Sequence, residues 1–328
     1  MPPFSARMVA AIARRPLLSI LAALAAIAVL LAAAEGPLEL AQATINGVVA
    51  GNYYALGAVG LTLIFGVLRL VNFAHGEFLT LGAYMMLLFA SFDLPLLAAA
   101  CLGIVATAIF SVGLEIGVWR PVRRRGAGEL QLLLFALGLA FFMRNAIAFV
   151  AGSEDRQTGA DVTKSVRIGE LRIGRTELIV TLLGIATIVL VAAALRSTSL
   201  GKQARALADS IELAETTGID TDRVVLVTWA VSGGLAGLAG VFYALPAGAA
   251  NPNFGFSLIL SIFAAVVVGG IGNAYGALAG GLLIGLVQEW STLVLEPSLK
   301  VAVGFAMLIL VLLVRPQGLF GRALSADR

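Results

Sequence analysis

Long apolar blocks, each followed by a short polar or turn-forming interval, organise this chain from end to end. The blocks fall at 17–34, 44–68, 78–92, 94–118, 129–151, 178–195, 224–245, 257–270, 276–294 and 299–314. Most approach the roughly 20 residues that an α-helix needs to cross the hydrocarbon of a bilayer. The third and eighth are short and lie beside Gly-rich turns, which predicts broken or partly inserted helices. The pattern predicts an all-α polytopic membrane protein of about 8–10 transmembrane helices, forming a single transmembrane domain over 1–328.

One polar interval is long enough to carry structure of its own. Arg196 to Arg223, RSTSLGKQARALADSIELAETTGIDTDR, has no Gly or Pro between Lys202 and Thr217 and consists mostly of good helix formers there. Leu207, Ile211 and Ala214 follow at i, i+4 and i+7, predicting one modest apolar stripe among Lys202, Arg205, Asp209, Glu212 and Glu215. Gly218 supplies a C′ stop, with Ile219 as the apolar residue that packs back behind it. A second helix is predicted to begin near Asp220, with Asp222 in its first turn. Such a loop helix either lies solvated at the bilayer surface or presents itself to a partner.

Composition agrees with the block pattern. The 328 residues are 60% hydrophobic and 12% charged, against about 25% charged in a soluble domain. Basic residues fall in short loops between blocks, so the net charge of +3 gives no footprint for nucleic acid. With the N-terminus inside, fifteen Lys and Arg fall on the cytoplasmic side, including Arg120, Arg123, Arg124 and Arg125, against six outside, with Arg144 within a span; together they account for all 22. The positive-inside rule then predicts an N-in, C-in chain with 196–223 in the cytoplasm. Arg14-Arg15 and the run ending at Ala34 also fit a signal-peptide template, but the run exceeds the usual apolar region of about 7–15 residues, which favours a retained span. The outer loop 152–177 contains SVRIGELRIGRTEL, whose Val166, Ile168, Leu171 and Ile173 alternate around Gly169-Glu170 and predict a small β-hairpin. It would serve as a lid over the bundle or as a docking surface. One Cys, Cys101, and one His, His75, leave no disulfide framework and argue against a metal site.

Two stretches carry the candidate chemistry. In 45–84, Gly47 and Gly51 have small-xxx-small spacing for close helix contact. Asn52, Tyr53 and Tyr54 interrupt the same run near its outer end, and a polar cluster of Arg69, Asn72, His75 and Glu77 follows. Near the cytoplasmic boundary these groups would be interfacial anchors; at membrane depth they would be expensive and functional. In 267–285, Gly269, Gly270, Gly272, Asn273 and Gly276 predict an unwound turn, because each Gly in a helix interior costs about 1 kcal/mol relative to Ala. The Gly276/Gly280 and Gly281/Gly285 pairs then predict a closely packed helix. Backbone freed at such a break must be buried in protein or line a wet cavity, and transporters use half-helix N-termini there to hold carboxylates. NFAHGEFLTLGA and GNAYGALAGG share a layout that hints at an internal repeat. Arg144 and Asn145 in the fifth span pair with Glu115 in the fourth on this reading, as a structural ion pair, and Asn251-Pro252-Asn253 reads as an outer turn.

Several of these segments share one resemblance. RALADSIELAETTGID resembles the cytoplasmic coupling loop of ABC-importer permeases, departing from its general consensus by Ala-Asp where Glu-Ala-Ala is expected. VNFAHGEFLTLGAYM, the glycine stretch 267–285 and LLVRPQGLFGR complete the likeness to the LivH-type permease subunits of branched-chain amino acid importers, covering about residues 40–322. The resemblance implies a bacterial inner-membrane subunit paired with a LivM-like second permease, two cytoplasmic ABC ATPases and a periplasmic substrate-binding protein. It implies ATPase coupling through Arg205, Asp209, Ala214 and Gly218. It also implies a translocation pathway near Asn52, Asn72, His75, Glu77, Gly269, Gly270, Gly272, Asn273 and Gly276. The chain has no G-x-x-x-x-G-K-[ST] phosphate loop, since Gly201-Lys202 has Arg196 where the first Gly belongs. ATP would therefore be bound by partner subunits, leaving this chain without a cofactor or a catalytic step. A urea or short-amide permease is the rival within the class, and a stand-alone secondary transporter or channel the rival outside it.

Overall fold

The computed structural model describes residues 16–321, and the protein is a helical bundle in which every predicted apolar block is helical. The blocks become α1 (Pro16–Ala34), α2 (Pro37–Leu68), α3 (His75–Ala90), α4 (Leu96–Leu114) and α6 (Glu129–Ala151). They continue as α7 (Arg175–Ser197), α10 (Thr221–Ala247), α11 (Phe254–Gly269), α12 (Ala274–Ser291) and α13 (Lys300–Val314). Between them lie α5 (Arg120–Arg124), joined to α4 by a π-helical turn Glu115–Trp119, and the loop helices α8 (Ser199–Asp209) and α9 (Ile211–Thr216). Six helical segments among the described residues are long and apolar enough to cross a membrane: Pro37–Leu68, Leu96–Arg124, Glu129–Ala151, Arg175–Ser197, Thr221–Ala247 and Pro297–Val314. At 16 residues each, α3 and α11 rise only about 24 Å, short of a bilayer core of about 30 Å. Arg7, Arg14, Arg15, Arg322 and Arg328, which the charge count used, lie outside the described residues.

The longest helix is the axis of the bundle. With Pro37 in its first turn, α2 begins seven residues before the predicted 44, and it packs against α7, α10, α11 and α12. Lipid tails are as apolar as leucine, so helices in a bilayer associate through close packing rather than by escaping water. The glycines supply that packing. A Cβ on Gly51 would lie 2.8 Å from the Leu282 Cα, and one on Gly47 would lie 2.9 Å from the Leu286 Cα. Gly281 and Gly285 return the contact against Ala55 and Gly51, while Gly276 and Gly280 face Gly269 and Ala265 of α11. The predicted small-residue pairs thus divide between two neighbours.

At one end of the bundle the predicted hairpin is present as β2 (Ser165–Ile168) and β3 (Leu171–Gly174), pairing Val166 with Ile173 and Ile168 with Leu171. Gly169 turns it at φ +65°. A second pairing, not predicted, joins β1 (Arg156–Gln157) to β4 (Ala249–Ala250). The Asn251-Pro252-Asn253 turn is fastened to the same loop, with Asn251 Nδ2 donating to Asp155 Oδ1 at 2.7 Å. At the opposite end, Asp222 in the first turn of α10 bridges Arg120 at 3.0 Å and Arg124 at 3.9 Å.

The ion pair expected between Glu115 and Arg144 does not form: Glu115 is fully buried and pairs with Arg123 of α5. The π turn explains the choice. Eight residues along an α-helix end about 80° round the axis, and a π turn absorbs one of them, returning Arg123 to roughly the face of Glu115.

Candidate functional site

The coupling segment folds into two helices rather than the single one predicted over 202–217. Ser210 is the reason: its hydroxyl accepts from Leu213 N at 3.2 Å, so it caps α9 while its own extended backbone (φ −161°) ends α8. Asn, Asp and Ser favour such caps over helix interiors. The break turns the predicted stripe. Leu207 and Ala214 are buried, but Ile211 is 40% exposed beside Leu213 at 65%. Thr198 caps α8 by accepting from Gly201 N at 3.1 Å, and Asp220 caps α10 by accepting from Arg223 N at 3.0 Å. Gly218, at φ +81°, donates to Glu215 O at 3.0 Å while Ile219 N donates to Ala214 O at 3.2 Å. These are the paired bonds of a Schellman stop. Arg205 donates to the Leu195 carbonyl, tying α8 to the end of α7, and Asp209 remains exposed. Four of its attachments therefore lead into the bundle: the Leu207 and Ala214 faces, the Arg205 contact and the cap on α10.

Arg69 is exposed at the end of α2, but the rest of the polar cluster is not interfacial. Arg69 ends α2 in a left-handed conformation (φ 53°), and the chain folds back between helices before α3 begins. His75 Nε2 lies 3.0 Å from the Gly57 carbonyl, which is roughly 16 Å of helix from the end of α2. Asn72, His75, Glu77 and Thr80 are fully buried. Depth rather than boundary is where these groups sit, because 69–74 re-enters the bundle. Asn72 turns the entry, its Oδ1 accepting from Ala74 N at 3.1 Å. Five polar atoms here have no hydrogen-bond partner among the described residues: Asn72 Nδ2, His75 Nδ1, both Glu77 carboxylate oxygens and Thr80 Oγ1. Buried polar groups are satisfied as a rule, so such a cluster requires an explanation.

The entry is walled tightly. A Cβ on Gly76 would stand 2.6 Å from the Gly255 carbonyl and 2.9 Å from Ile259 Cβ. The first turns of the short helices α3 and α11 therefore cross backbone to backbone. Phe78 lies edge-on to Trp229 of α10 at 6.3 Å, and Trp229 stacks on Trp119 at 6.0 Å. Asn52 is also buried, mid-way along α2 and not at its end; its Nδ2 donates to Val180 O at 3.1 Å while its Oδ1 is unpartnered.

The second break is built differently. The predicted unwound turn is present between α11 and α12, with Gly270 at φ +107° and Gly272 at φ +81°. Asn273 caps α12, its Oδ1 accepting from Tyr275 N at 3.0 Å and Gly276 N at 3.1 Å. The chain's own tail closes the turn: Leu319 N donates to Val268 O at 2.8 Å, Phe320 N to Gly269 O at 3.0 Å, and Asn273 Nδ2 to Phe320 O at 2.9 Å. The tail closes the end of α11 and Asn273 fills the half-helix N-terminus, while Ile271 and Gly272 at the apex of the turn are exposed.

Helices of membrane length, a broken helix leading polar groups into the bundle, and a helical loop docked on one end define a multi-pass permease. Residues 43–312 match the family model described as branched-chain amino acid transport system / permease component, and the chain belongs to that family. It is 34% identical over 300 residues to the high-affinity branched-chain amino acid transport system permease protein LivH of Escherichia coli (strain K12), covering 86% of this chain and 95% of that protein. It is 30% identical over 295 residues to the permease protein BraD of the corresponding Pseudomonas aeruginosa system, with the same coverage. Similarity extends at 22% over 317 residues to LivM of Escherichia coli (strain K12), named as a permease protein of the same kind of system. No solved structure matches the chain.

Sequence reasoning missed Ser210 as a cap, the tail as the closure of the second break, and Arg144 as a neighbour of the first. The Arg144 guanidinium lies over the rings of Phe141 at 5.1 Å and of Phe256 at 5.0 Å. Phe256 adjoins Gly255, so Arg144 stands beside the crossing of α3 and α11.

Proposed function

We propose that this chain is the membrane-spanning permease subunit of an ATP-driven importer of branched-chain amino acids in the bacterial cytoplasmic membrane. The observation that carries the reading is the α8–α9 unit. It is fastened inward through Leu207, Ala214 and Arg205 and presents Asp209, Ile211 and Leu213 outward. An exposed apolar pair among charges on a capped, rigid element is what a docking partner requires.

In this account the N- and C-termini face the cytoplasm, a LivM-like chain supplies the second permease, two ABC ATPases bind ATP, and a periplasmic binding protein delivers the substrate. ATP-driven closure of the ATPases moves α8–α9. The Arg205 contact passes the motion to α7, and the Asp222 bridges to Arg120 and Arg124 pass it from α10 to α5 and so to α4. The spans then rock to open the path on one side or the other, and this chain makes no covalent bond. The path runs by the α3 entry, at Asn72, His75 and Glu77, with Asn52 on the neighbouring face of α2. Gly269, Gly270, Gly272, Asn273 and Gly276 form the closed turn behind it, which supports the fold and does not line the path.

ATP-dependent uptake of labelled leucine by the assembled transporter tests this. Gly218→Pro, and separately the double replacement Arg205→Ala/Asp209→Ala, abolish uptake while the protein still inserts. Normal uptake in both would remove the coupling assignment, and uptake of urea alone would replace the substrate.

A further inference from the structure

The fold brings a buried acid and a half-buried arginine to the same helix crossing without an ion pair between them. Glu77 is fully buried in the first turn of α3, with neither carboxylate oxygen hydrogen-bonded. Arg144, on α6, is half-buried and takes part in none of the ion pairs formed among the described residues. α6 packs against α3, and Arg144 lies over Phe256, whose neighbour Gly255 meets Gly76, the residue before Glu77. Removing one partner from a buried charge pair is strongly destabilising, yet here both groups are present without a bridge between them.

Other contacts hold the arginine in place. Phe141 and Phe256 flank the Arg144 guanidinium and hold its plane by cation–π contact. Phe256 in turn is fixed, because Gly255 beside it is locked against the backbone at Gly76. The α3 and α11 N-termini that cross there bring the positive ends of two helix dipoles to the same place. Thr80, one turn beyond Gly76, offers a further unpartnered hydroxyl.

We infer that Glu77 and Arg144 form a split receptor for a zwitterion, Glu77 taking the α-ammonium and Arg144 the α-carboxylate of an amino acid on its way through the bundle. This rests on the importer reading and adds to it the residues that recognise the two charged ends. A carboxylate with free lone pairs accepts the three donors of an ammonium, and the guanidinium fork matches a carboxylate in two parallel bonds. The ligand completes an ion triad that the protein alone leaves open, so its own desolvation is offset where water is excluded. A neutral amide or sugar carries neither end and gains nothing there.

The test uses the complete transporter in vesicles loaded with ATP, with labelled leucine as the probe. Glu77→Gln and Arg144→Gln each assemble and each lower leucine uptake by about thirtyfold or more, the lower edge of what losing one side of a buried charged contact costs. The exchange Glu77→Arg with Arg144→Glu remains inactive, because it would rebuild a structural ion pair but presents the wrong ends to the substrate. Uptake within about threefold of the unmodified transporter in either neutral variant, or its recovery in the exchanged one, overturns the assignment. Where a neutral variant fails to assemble, Glu77→Asp and Arg144→Lys keep the charges; failure of these to assemble also overturns it. The unmodified transporter carries the importer reading by itself. If it moves urea and no leucine, that reading fails whatever the variants do.

Discussion

The two breaks in the helical bundle have the same sequence layout and opposite structural character. Between α11 and α12, the helix ends are taken up and the apex is exposed: Asn273 caps the new helix, the 319–320 backbone closes the old one, and Ile271 and Gly272 lie at the surface. Between α2 and α3, the chain carries a histidine, a glutamate, an asparagine and a threonine inward and leaves five of their polar atoms unpartnered. An unsatisfied buried donor or acceptor costs about 1–3 kcal/mol, so a bundle under selection for stability alone would not keep five together. The satisfied break reads as a structural turn, the unsatisfied one as a path. The similar layout of NFAHGEFLTLGA and GNAYGALAGG therefore reflects a shared way of interrupting a helix and not a shared task.

Substitutions at the two breaks separate stability from transport in opposite directions. Of three substitutions that compare the breaks, His75→Leu is expected to have the largest functional effect. Leucine fills the site and removes a buried unpartnered nitrogen, and the bond lost to Gly57 contributes about 1 kcal/mol or less. The variant should assemble and melt close to the unmodified protein while leucine uptake falls by at least about tenfold, or 1.4 kcal/mol. A drop in melting temperature that matches the loss of uptake would make the first break structural as well.

Next comes Gly270→Ala. A side chain at φ +107° is strained whatever the space, and its Cβ would also meet Gly321 N at 2.5 Å. Residues held in such conformations cost about 1–3 kcal/mol, so thermal unfolding in detergent should shift downward while the complexes that survive transport normally. Loss of transport at unchanged stability would move the second break into the pathway.

The smallest effect belongs to Asn273→Ala. It removes one cap, worth about 1 kcal/mol, together with the tie to Phe320. Amide hydrogen exchange should quicken at the start of α12 and in the tail, and leucine uptake should hold.

Much of this architecture was legible in the chain because a bilayer imposes length and polarity directly. The ten blocks, the Gly-rich turn, the hairpin around Gly169 and the stop at Gly218 all follow from local rules. What was hidden depends on residues that meet only after folding. The depth of His75 and Glu77 follows from the backward course of 69–74, and hydropathy cannot distinguish a segment lying at the interface from one that re-enters. Propensity made 202–217 one helix because Ser210 is tolerated inside helices, whereas its capping role appears only when the backbone turns there. Arg144 was matched to Glu115 across two spans, whereas the partner is Arg123, eight residues on, which would be on the wrong face of a regular α-helix and is brought round by a π turn.

The central claim is that the α3 entry serves transport and the α11–α12 turn serves the fold. Leucine uptake per assembled transporter, measured side by side for His75→Leu and Asn273→Ala, tests it most directly. The account predicts uptake near background for His75→Leu and unchanged for Asn273→Ala. Uptake preserved in the first and lost in the second would contradict it.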